Sequence, residues 1–408
     1  MTAASKLANT LALGLVGCGG MGRRHIGGMA RLKAVGRLGF ELTAVCDVLP
    51  ENAAKAAALA EEQLGRKPEV YADTAAMLRG TRLDGIIVTT TPETHTAVAL
   101  AAFAAGAHVL AEKPVTLSVA DGVRLVAAAK SAGKKLAVAE NYRRDPINRL
   151  AKALLDGGAI GRPFLATQAS SGSGEAVIIT PWRHRQDRGG IVIDMGVHYT
   201  DILEYYLGPI TAVAGMNAIV DEQRVDAQGV WHPADAEDLS VGVMRFESGA
   251  IAHWLLSLAG RGEPSWKRMV YGTGGSLEVP GDRSGKPVSV VQRKAGKDEA
   301  VPAEAVLGLV PDFALDATTA ALFGGERLAS YELPWTTIDA NLLAIEQADF
   351  VDAMVTGREP EVTGEQGLRS LALLAGLLAA ERHGRMLTLE EILRQPGQFE
   401  AQATETKA

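Results

Sequence analysis

Two residues with acid–base chemistry stand four positions apart in a segment that begins at Gly189 and is typical of a helix start. Asp194 carries a carboxylate and His198 an imidazole, and residues at this spacing share one face of a helix. An imidazole titrates near neutral pH, so it can remove the proton of a hydroxyl group. A neighbouring carboxylate can orient the ring and favour its protonated form, so we expect Asp194 to raise the pKa of His198.

A nucleotide-binding pattern lies near the other end of the chain. Residues 11–16 form an apolar run of strand length, followed by Gly17-Cys18-Gly19-Gly20-Met21-Gly22 and a predicted helix over 23–34. In a strand–GxGxxG–helix unit, Gly17 permits the tight turn, Gly19 lets a pyrophosphate approach the backbone and Gly22 lets the helix pack on the strand. The phosphates then lie at the helix N-terminus, where free amides and the helix dipole favour negative charge.

Asp47 indicates which dinucleotide is bound. It ends a second predicted strand, 42–46, at about the distance past the glycines that a dinucleotide site requires. A carboxylate there accepts hydrogen bonds from the adenosine ribose and repels a 2′-phosphate, which favours NAD over NADP. Arg23 and Arg24 offer the alternative of a 2′-phosphate clamp, but we interpret them as solvated charges that also assist pyrophosphate binding.

Length and composition limit the possible partners. A chain of 408 residues is expected to form two domains, since single cores rarely exceed about 250 to 300 residues. The net charge is −7 and no basic run occurs, which argues against nucleic acid and anionic membranes as partners. No segment has the apolar length of a membrane span, and a cytoplasmic location is expected. Cys18 and Cys46 are interpreted as buried free thiols, and no metal site is expected.

The first part of the chain alternates predicted strands and helices, which predicts a doubly wound parallel sheet. One strand, over 84–90, stops at Thr91-Pro92, and the next, over 107–111, stops at Glu112-Lys113-Pro114. Ligands bind at the carboxyl ends of such strands, so Lys113 is expected at the same edge as the glycine loop. A lysine at a strand end is most often a solvated charge, and it is the combination with the glycine loop and the Asp194/His198 pair that favours a functional role.

These motifs resemble those of the Gfo/Idh/MocA oxidoreductases, a family that includes inositol dehydrogenases, glucose-fructose oxidoreductase and many sugar dehydrogenases. The resemblance covers nearly the whole chain. It rests on the glycine loop with His25, Thr91-Pro92 with His95, Glu112-Lys113-Pro114, the NYRRDP stretch at 141–146, residues 158–163, the Asp194/His198 segment and residues 357–385.

The resemblance implies an α/β protein with an N-terminal Rossmann dinucleotide-binding domain, residues 1–141. A C-terminal α+β domain, residues 142–408, is expected to contain a large, open, mostly antiparallel sheet and terminal helices that pack back toward the first domain. Strands predicted from apolar alternation support this sheet independently, at 164–170, 210–219, 239–246, 250–257 and 267–272. Helices near 147–156 and 194–206 are expected to cover one face.

In the family a partner subunit often covers the other face of the sheet, so we expect a homo-oligomer, a dimer or a tetramer. This chain departs from the shorter family members at 221–233 and 281–334, where the apolar pattern is weak. These segments are expected either to fold over the active site or to lie at a subunit interface.

By motif match, the resemblance implies that Lys113, Asp194 and His198 line the cavity beside the nicotinamide ring. The expected reaction is reversible oxidation of a secondary hydroxyl of a sugar, glycoside, anhydrosugar or inositol. His198 would act as the base, Lys113 as donor to the alcohol oxygen, and Asp194 would hold a neighbouring hydroxyl or the imidazole. The expected cofactor-binding residues are Gly17, Gly19, Gly20, Met21, Gly22, Asp47, Thr90, Thr91, Pro92, His95, Glu112 and Lys113.

Four further residues are candidates for substrate binding: Tyr142, Arg143, Trp182 and Arg183. An indole can stack on a sugar face and guanidinium donors suit hydroxyl groups. A purely structural interpretation accounts for these four residues equally well: the aromatic side chains would pack in the core and the arginines would lie on the surface.

Two other functions fit part of the pattern. Some relatives use bound NAD without net redox change, oxidising a sugar transiently so that a glycosidic bond can be eliminated, and the three catalytic candidates are compatible with this. A non-enzymatic NAD-sensing protein is the second alternative, but such a protein would be expected to lack Lys113 or His198.

Overall fold

The computed structural model describes residues 10–399, and its first part is a Rossmann domain. Six parallel strands are arranged in the order β3-β2-β1-β4-β5-β6. The strands are β1 (Leu11–Val16), β2 (Phe40–Cys46), β3 (Glu69–Tyr71), β4 (Gly85–Val88), β5 (His108–Glu112) and β6 (Leu136–Ala139). The intervening helices are α1 (Gly20–Ala34), α2 (Pro50–Leu64), α3 (Thr74–Gly80), α4 (Pro92–Ala104) and α5 (Val119–Ala132).

Local sequence explains these elements. β4 and β6 are buried along their whole length, as expected for strands covered by helices on both faces. Helix α3 begins directly after Asp73, whose side chain caps it by accepting a hydrogen bond from the Ala76 amide at 2.7 Å. The doubly wound sheet predicted from the sequence is therefore confirmed.

The glycine loop needs the absence of side chains at two positions. Gly17 has φ +94°, and a Cβ there would lie 2.6 Å from the Thr89 carbonyl carbon. A Cβ on Gly22 would lie 2.1 Å from the Gly17 oxygen. These contacts allow the first turn of α1 to pack directly on the end of β1.

The second part of the chain contains a nine-stranded sheet in the order β16-β15-β14-β13-β7-β12-β11-β8-β17, with β9 and β10 in a separate hairpin. Only the β12–β7 pair is parallel among the pairs of the large sheet, so the predicted antiparallel character is confirmed. The strands are β7 (Pro163–Ser173), β8 (Ile210–Ala218), β9 (Gln223–Val225), β10 (Trp231–Pro233), β11 (Leu239–Phe246), β12 (Ile251–Gly260), β13 (Ser265–Gly272), β14 (Gly275–Val279), β15 (Ser289–Lys294), β16 (Lys297–Val301) and β17 (Leu387–Thr388). The helices are α6 (Pro146–Asp156), α7 (Gly190–Leu207), α8 (Ala317–Phe323), α9 (Trp335–Thr356), α10 (Gly364–His383) and α11 (Leu389–Arg394).

One face of the large sheet is packed and the other is open. Alternation along β11 places Met244 and Phe246 in the core, while Val241 and Val243 point to the opposite face. Residues of α6, α7 and α10 share a buried apolar cluster with the inner face, which includes the fully buried Trp254. The open face remains available for contact with another molecule.

Helix α9 belongs to the second half of the sequence but packs on the first domain. Leu342 and Phe350 share a buried cluster with Leu13 and Ile26. Gly28 of α1 approaches α9 so closely that an added Cβ would lie 3.0 Å from the Leu343 Cβ. The two halves of the chain are thus joined through a common apolar core.

The two segments singled out in the sequence are anchored to different parts of the second half of the chain. The β9–β10 hairpin binds the strand-to-helix connection at 174–190, since Val177 N donates to Val225 O at 2.8 Å and Val225 N donates to Glu175 O at 2.9 Å. The second segment is anchored by Asp282, which accepts two hydrogen bonds from Arg268, at 2.6 and 2.9 Å.

Within residues 10–399, no helix combines the length and apolar character that crossing a membrane requires. Cys18 and Cys46 are buried free cysteines, as predicted.

Gly22→Ala is expected to destabilise the first domain, because the new Cβ would meet backbone rather than a movable side chain. Overpacking of this kind costs about 1–3 kcal/mol. Gly27→Ala is the matched control on the same helix, since a Cβ there has nothing within 4 Å. The control should keep or slightly raise stability because alanine favours helix. Thermal unfolding followed by circular dichroism measures both, and equal midpoints would contradict the packing argument.

Candidate active site

Two neighbouring strands end side by side and supply the first pair of polar groups. β5 and β6 are parallel, and Glu112 at the end of β5 is paired with Ala139 at the end of β6. The next residues, Lys113 and Glu140, therefore emerge together at the carboxyl edge of the sheet. Neighbouring strands are about 4.8 Å apart.

Helix α7 supplies the second pair. Asp194 and His198 are about one turn apart, a rise of about 6 Å along the axis. The Lys113 Nζ donates to the backbone oxygen of Asp194 at 2.9 Å and to its Oδ1 at 3.1 Å. The His198 Nδ1 lies 2.8 Å from both carboxylate oxygens of Glu140. Each strand-end residue thus engages one residue of the helix.

This arrangement corrects the expectation that Asp194 would orient the imidazole. The Asp194 carboxylate instead lies between two cations, Lys113 on Oδ1 and Arg183 on Oδ2. Burial alone would raise the pKa of Asp194, but these two cations outweigh burial and lower it. Glu140 is the residue that holds the His198 ring.

Asp194 acts to raise the pKa of His198, as expected, but the net shift of that pKa is downward. Burial lowers its pKa well below the usual value, and Lys113 and Arg283 lower it further, while Asp194 acts in the opposite direction. The cost of charging a buried imidazole exceeds the attraction of one carboxylate that is already paired. His198 is therefore neutral near pH 7 and can accept a proton.

Tyr142 fixes the plane of the imidazole. Its ring stacks on that of His198, with centroids 4.1 Å apart and an angle of 7° between planes. Its backbone amide donates to Glu140 Oε1 at 3.0 Å. The Arg283 guanidinium lies 5.3 Å from the Tyr142 ring centroid and donates to Asn141 Oδ1 at 2.9 Å.

The other substrate-binding candidates divide into two groups. Trp182 and Arg183 lie together on the 174–190 connection, with the guanidinium 4.9 Å from the indole centroid and paired with Asp194. Arg143 is buried and donates to both carboxylate oxygens of Asp201 on α7. Its donors are committed to holding α7, so the structure does not support the expectation of a substrate contact for Arg143.

The predicted cofactor-binding residues form an open cradle. Gly19 and Gly20, at the start of α1, have no atom within 4 Å of an added Cβ. The Asp47 carboxylate is held at the loop, accepting from Cys18 N at 2.7 Å and from Leu49 N at 2.8 Å. Met21 continues this turn, while Thr90, Thr91 and Pro92 follow β4 at the same edge. An exposed helix N-terminus beside a strand-end carboxylate fits a dinucleotide.

Two other predicted cofactor residues are buried behind this cradle. The His95 ring nitrogens lie 3.0 Å from Pro114 O and 3.1 Å from Thr90 O, which ties the ends of β4 and β5 together. The Glu112 carboxylate lies 3.0 Å from His25 Nε2. Both residues support the edge of the sheet from within.

His25, Glu112 and Glu346 form a buried cluster whose candidate ligand atoms lie within 4.8 Å of one another. The second ring nitrogen of His25 lies 3.0 Å from Gln347 Nε2. Burial and the nearby Glu112 raise the pKa of Glu346 well above its usual value. We interpret the cluster as a buried polar core in which His25 of α1 bonds to Glu112 of β5 and to Gln347 of α9, while the carboxylate oxygens of Glu346 have no hydrogen-bond partner among the described residues.

The sequence reasoning missed Glu140 and Arg283. A signal for Glu140 existed, since it is an acidic residue directly after the buried strand 136–139, at the edge where ligands bind. Arg283 had no such signal, because it lies in a segment without a clear pattern and reaches Asn141 from far along the chain.

Comparisons with known proteins match both halves of the chain. A family model described as "Oxidoreductase family, NAD-binding Rossmann fold" matches residues 11–140, and a model of the GFO/IDH/MocA C-terminal domain matches residues 148–278. The D-apiose dehydrogenase of Paraburkholderia graminis is 29% identical over 385 residues, covering 93% of this chain and 89% of that protein.

Two further similarities extend over most of the molecule. The myo-inositol 2-dehydrogenase of Thermotoga maritima is 26% identical over 339 residues, covering 82% of this chain and 87% of that protein. A solved structure of levoglucosan dehydrogenase in complex with NADH has a TM-score of 0.77 and 20% identity, covering 93% of this chain and 99% of that chain. At this identity the structural likeness shows a shared fold.

Asp47→Ser combined with Val48→Arg is expected to shift cofactor preference from NAD toward NADP. The change removes the carboxylate that repels a 2′-phosphate and adds a cation for it. Val48 is exposed, so the arginine can be accommodated. Val48→Arg alone is the control, because it keeps the carboxylate. Titration with NAD and NADP by calorimetry measures the shift, and an unmodified protein that already prefers NADP would refute this role of Asp47.

Proposed function

Because the chain belongs to the Gfo/Idh/MocA oxidoreductase family, we propose that it catalyses reversible, NAD-dependent oxidation of a secondary hydroxyl of a sugar, glycoside, anhydrosugar or inositol. The observation that carries this proposal is the pairing of Lys113 and Glu140 with Asp194 and His198 at the edge that also holds the glycine loop. Bound NAD supplies the hydride acceptor.

The proposed roles follow from the hydrogen bonds. His198 keeps its Nδ1 toward Glu140, which leaves Nε2 to take the hydroxyl proton. Lys113 places an ammonium group beside the same turn of α7, where it can stabilise negative charge developing on the alcohol oxygen. Asp194 holds Lys113 and Arg183 in place.

The side chains around this group suit a polyhydroxylated ring. Trp182 offers an aromatic face, and Arg183 and Arg283 offer donors for hydroxyl oxygens. The relatives named for apiose and inositol support a sugar or polyol as substrate. We keep the redox-neutral cleavage of glycosides as the alternative to be distinguished by experiment.

We also propose a role for each half of the chain and a homo-oligomeric state. Residues 1–141 would bind the cofactor, and residues 142–408 would carry substrate and subunit contacts. The open face of the large sheet exposes apolar side chains, which supports its burial by a second copy of the chain. The exposed fractions are 67% for Met216, 39% for Val241, 40% for Val243 and 40% for Ile251. A homo-oligomer stays a prediction.

The stoichiometry of turnover tests the proposed function. Purified protein mixed with added NAD and a panel of inositols, aldoses, anhydrosugars and glycosides should form one NADH for each substrate oxidised, measured by absorbance and product analysis. Reduction of the ketone by NADH should occur with the same substrate. Cleavage of a glycoside over many turnovers without accumulation of NADH would instead support the redox-neutral alternative.

His198→Ala is expected to lower kcat by roughly a hundredfold or more, as loss of a general base commonly does, while NAD affinity stays near its starting value. His383→Ala is the matched control, because His383 is exposed at the end of α10. Steady-state kinetics and NAD titration of both variants measure the effect. Near-normal turnover by the His198 variant would exclude His198 as the base.

A further inference from the structure

We propose that Glu140 is the final proton acceptor in the oxidation. The substrate proton enters the dyad at His198 Nε2, and the proton on Nδ1 passes to the Glu140 carboxylate, so that the imidazole is neutral before and after the step. This inference rests on the proposed function and assigns a catalytic role to a residue whose position the family motifs did not single out.

The geometry of the dyad suits proton transfer. His198 Nδ1 is 2.8 Å from both Oε1 and Oε2 of Glu140, and the exposed fractions are 4% for His198 and 2% for Glu140. Tyr142 stacks on the ring and donates its amide to the same carboxylate, so neither partner is free to turn. Within residues 10–399 no side chain or backbone group is bonded to Nε2, which leaves this nitrogen for the substrate.

The charges around the dyad favour a proton on the carboxyl over a proton on the ring. Lys113 and Arg283 act against an imidazolium, and burial acts against any charged ring. On the carboxyl side, burial raises the pKa of Glu140 to about 7, although the Tyr142 amide, Lys113 and Arg143 oppose it. Titratable and charged groups face the dyad from several elements. They are Glu112 at the end of β5, Lys113 directly after it, Arg143 before α6, Asp194 and Asp201 on α7, Arg283 from 281–334 and Glu346 on α9.

The step balances without a further reactant. The substrate O–H bond breaks and an Nε2–H bond forms, while the Nδ1–H bond breaks and an O–H bond forms on Glu140. The carbinol C–H leaves as a hydride to NAD, which is the oxidant of the proposed function. The ring exchanges one proton for another and changes tautomer.

Glu140 also borders a small cavity. Glu140 lines a cavity of about 10 Å³ together with Lys113, Asp201 and Ser370. This is about the size that holds one water molecule, and Lys113, Glu140, Asp201 and Ser370 are the polar residues in a mostly apolar lining.

A titration of the NAD-bound full-length protein tests the proposal without any substrate. Infrared spectroscopy should show a carboxyl C=O band that appears as the pH falls through about 7, and ¹⁵N NMR should show a His198 ring that stays neutral over this range. Glu140→Gln should remove the titrating band. Glu346→Gln is the matched control, because Glu346 is a second buried carboxyl and its replacement should leave the titrating band in place. A His198 imidazolium formed beside an ionised Glu140 would overturn the proposal.

Kinetics of Glu140→Gln give the second test, because glutamine keeps an acceptor for Nδ1–H but cannot take the proton. With a substrate oxidised by the wild type, kcat should fall by about a hundredfold at nearly unchanged KM. The rise of kcat/KM with pH through about 7 should be lost, and Glu140→Asp should restore part of it. An unchanged pH profile with near-normal kcat would reduce Glu140 to a positioning residue. Absence of NADH formation by the wild type would count against the proposed function alone, since the titration does not depend on turnover.

Discussion

The spacing of parallel strands and the rise of an α-helix together set the geometry of this site. Lys113 and Glu140 leave β5 and β6 at the same level, about 4.8 Å apart. Asp194 and His198 lie about 6 Å apart along α7. Because these two lengths nearly agree, one helix lying across two strand ends can form both contacts at once. A shift of α7 by one residue would turn both side chains away, so the register of the helix is tied to the site.

Buried ion pairs hold that register. Arg143 pairs with Asp201 on α7, one turn beyond His198, and the neighbouring Arg144 pairs with Asp349 and Glu361, which fixes the turn that carries both arginines. Desolvation makes such pairs weak contributors to stability, but removal of one partner leaves a buried charge and costs about 3–5 kcal/mol. The Arg143–Asp201 pair makes other placements of α7 unfavourable. The site requires this, because it depends on the contacts of Asp194 with Lys113 and of His198 with Glu140.

The two segments that lack a clear apolar pattern complete the site from outside the sheet. The hairpin at 221–233 pairs with the connection that carries Arg183, and the segment 281–334 brings Arg283 to Asn141 and Tyr142. Both segments therefore contribute to the surroundings of the active site, which is one of the two placements expected from the sequence. The hairpin stabilises the connection that carries Arg183, and the segment 281–334 supplies the guanidinium of Arg283.

The sequence by itself determined the Rossmann domain, the antiparallel character of the second sheet and the strand-end position of Lys113. These depend on local patterns: apolar runs, glycines required by close backbone contacts, and capping residues such as Asp73. The spacing of Asp194 and His198 also placed both on one face of a helix, but spacing within a helix says nothing about what lies opposite. Only the tertiary structure decided that Glu140 holds His198 while Lys113 and Arg183 hold Asp194. The direction of the His198 pKa shift was decided there too, because burial and the charges of distant segments arise only when the chain is folded.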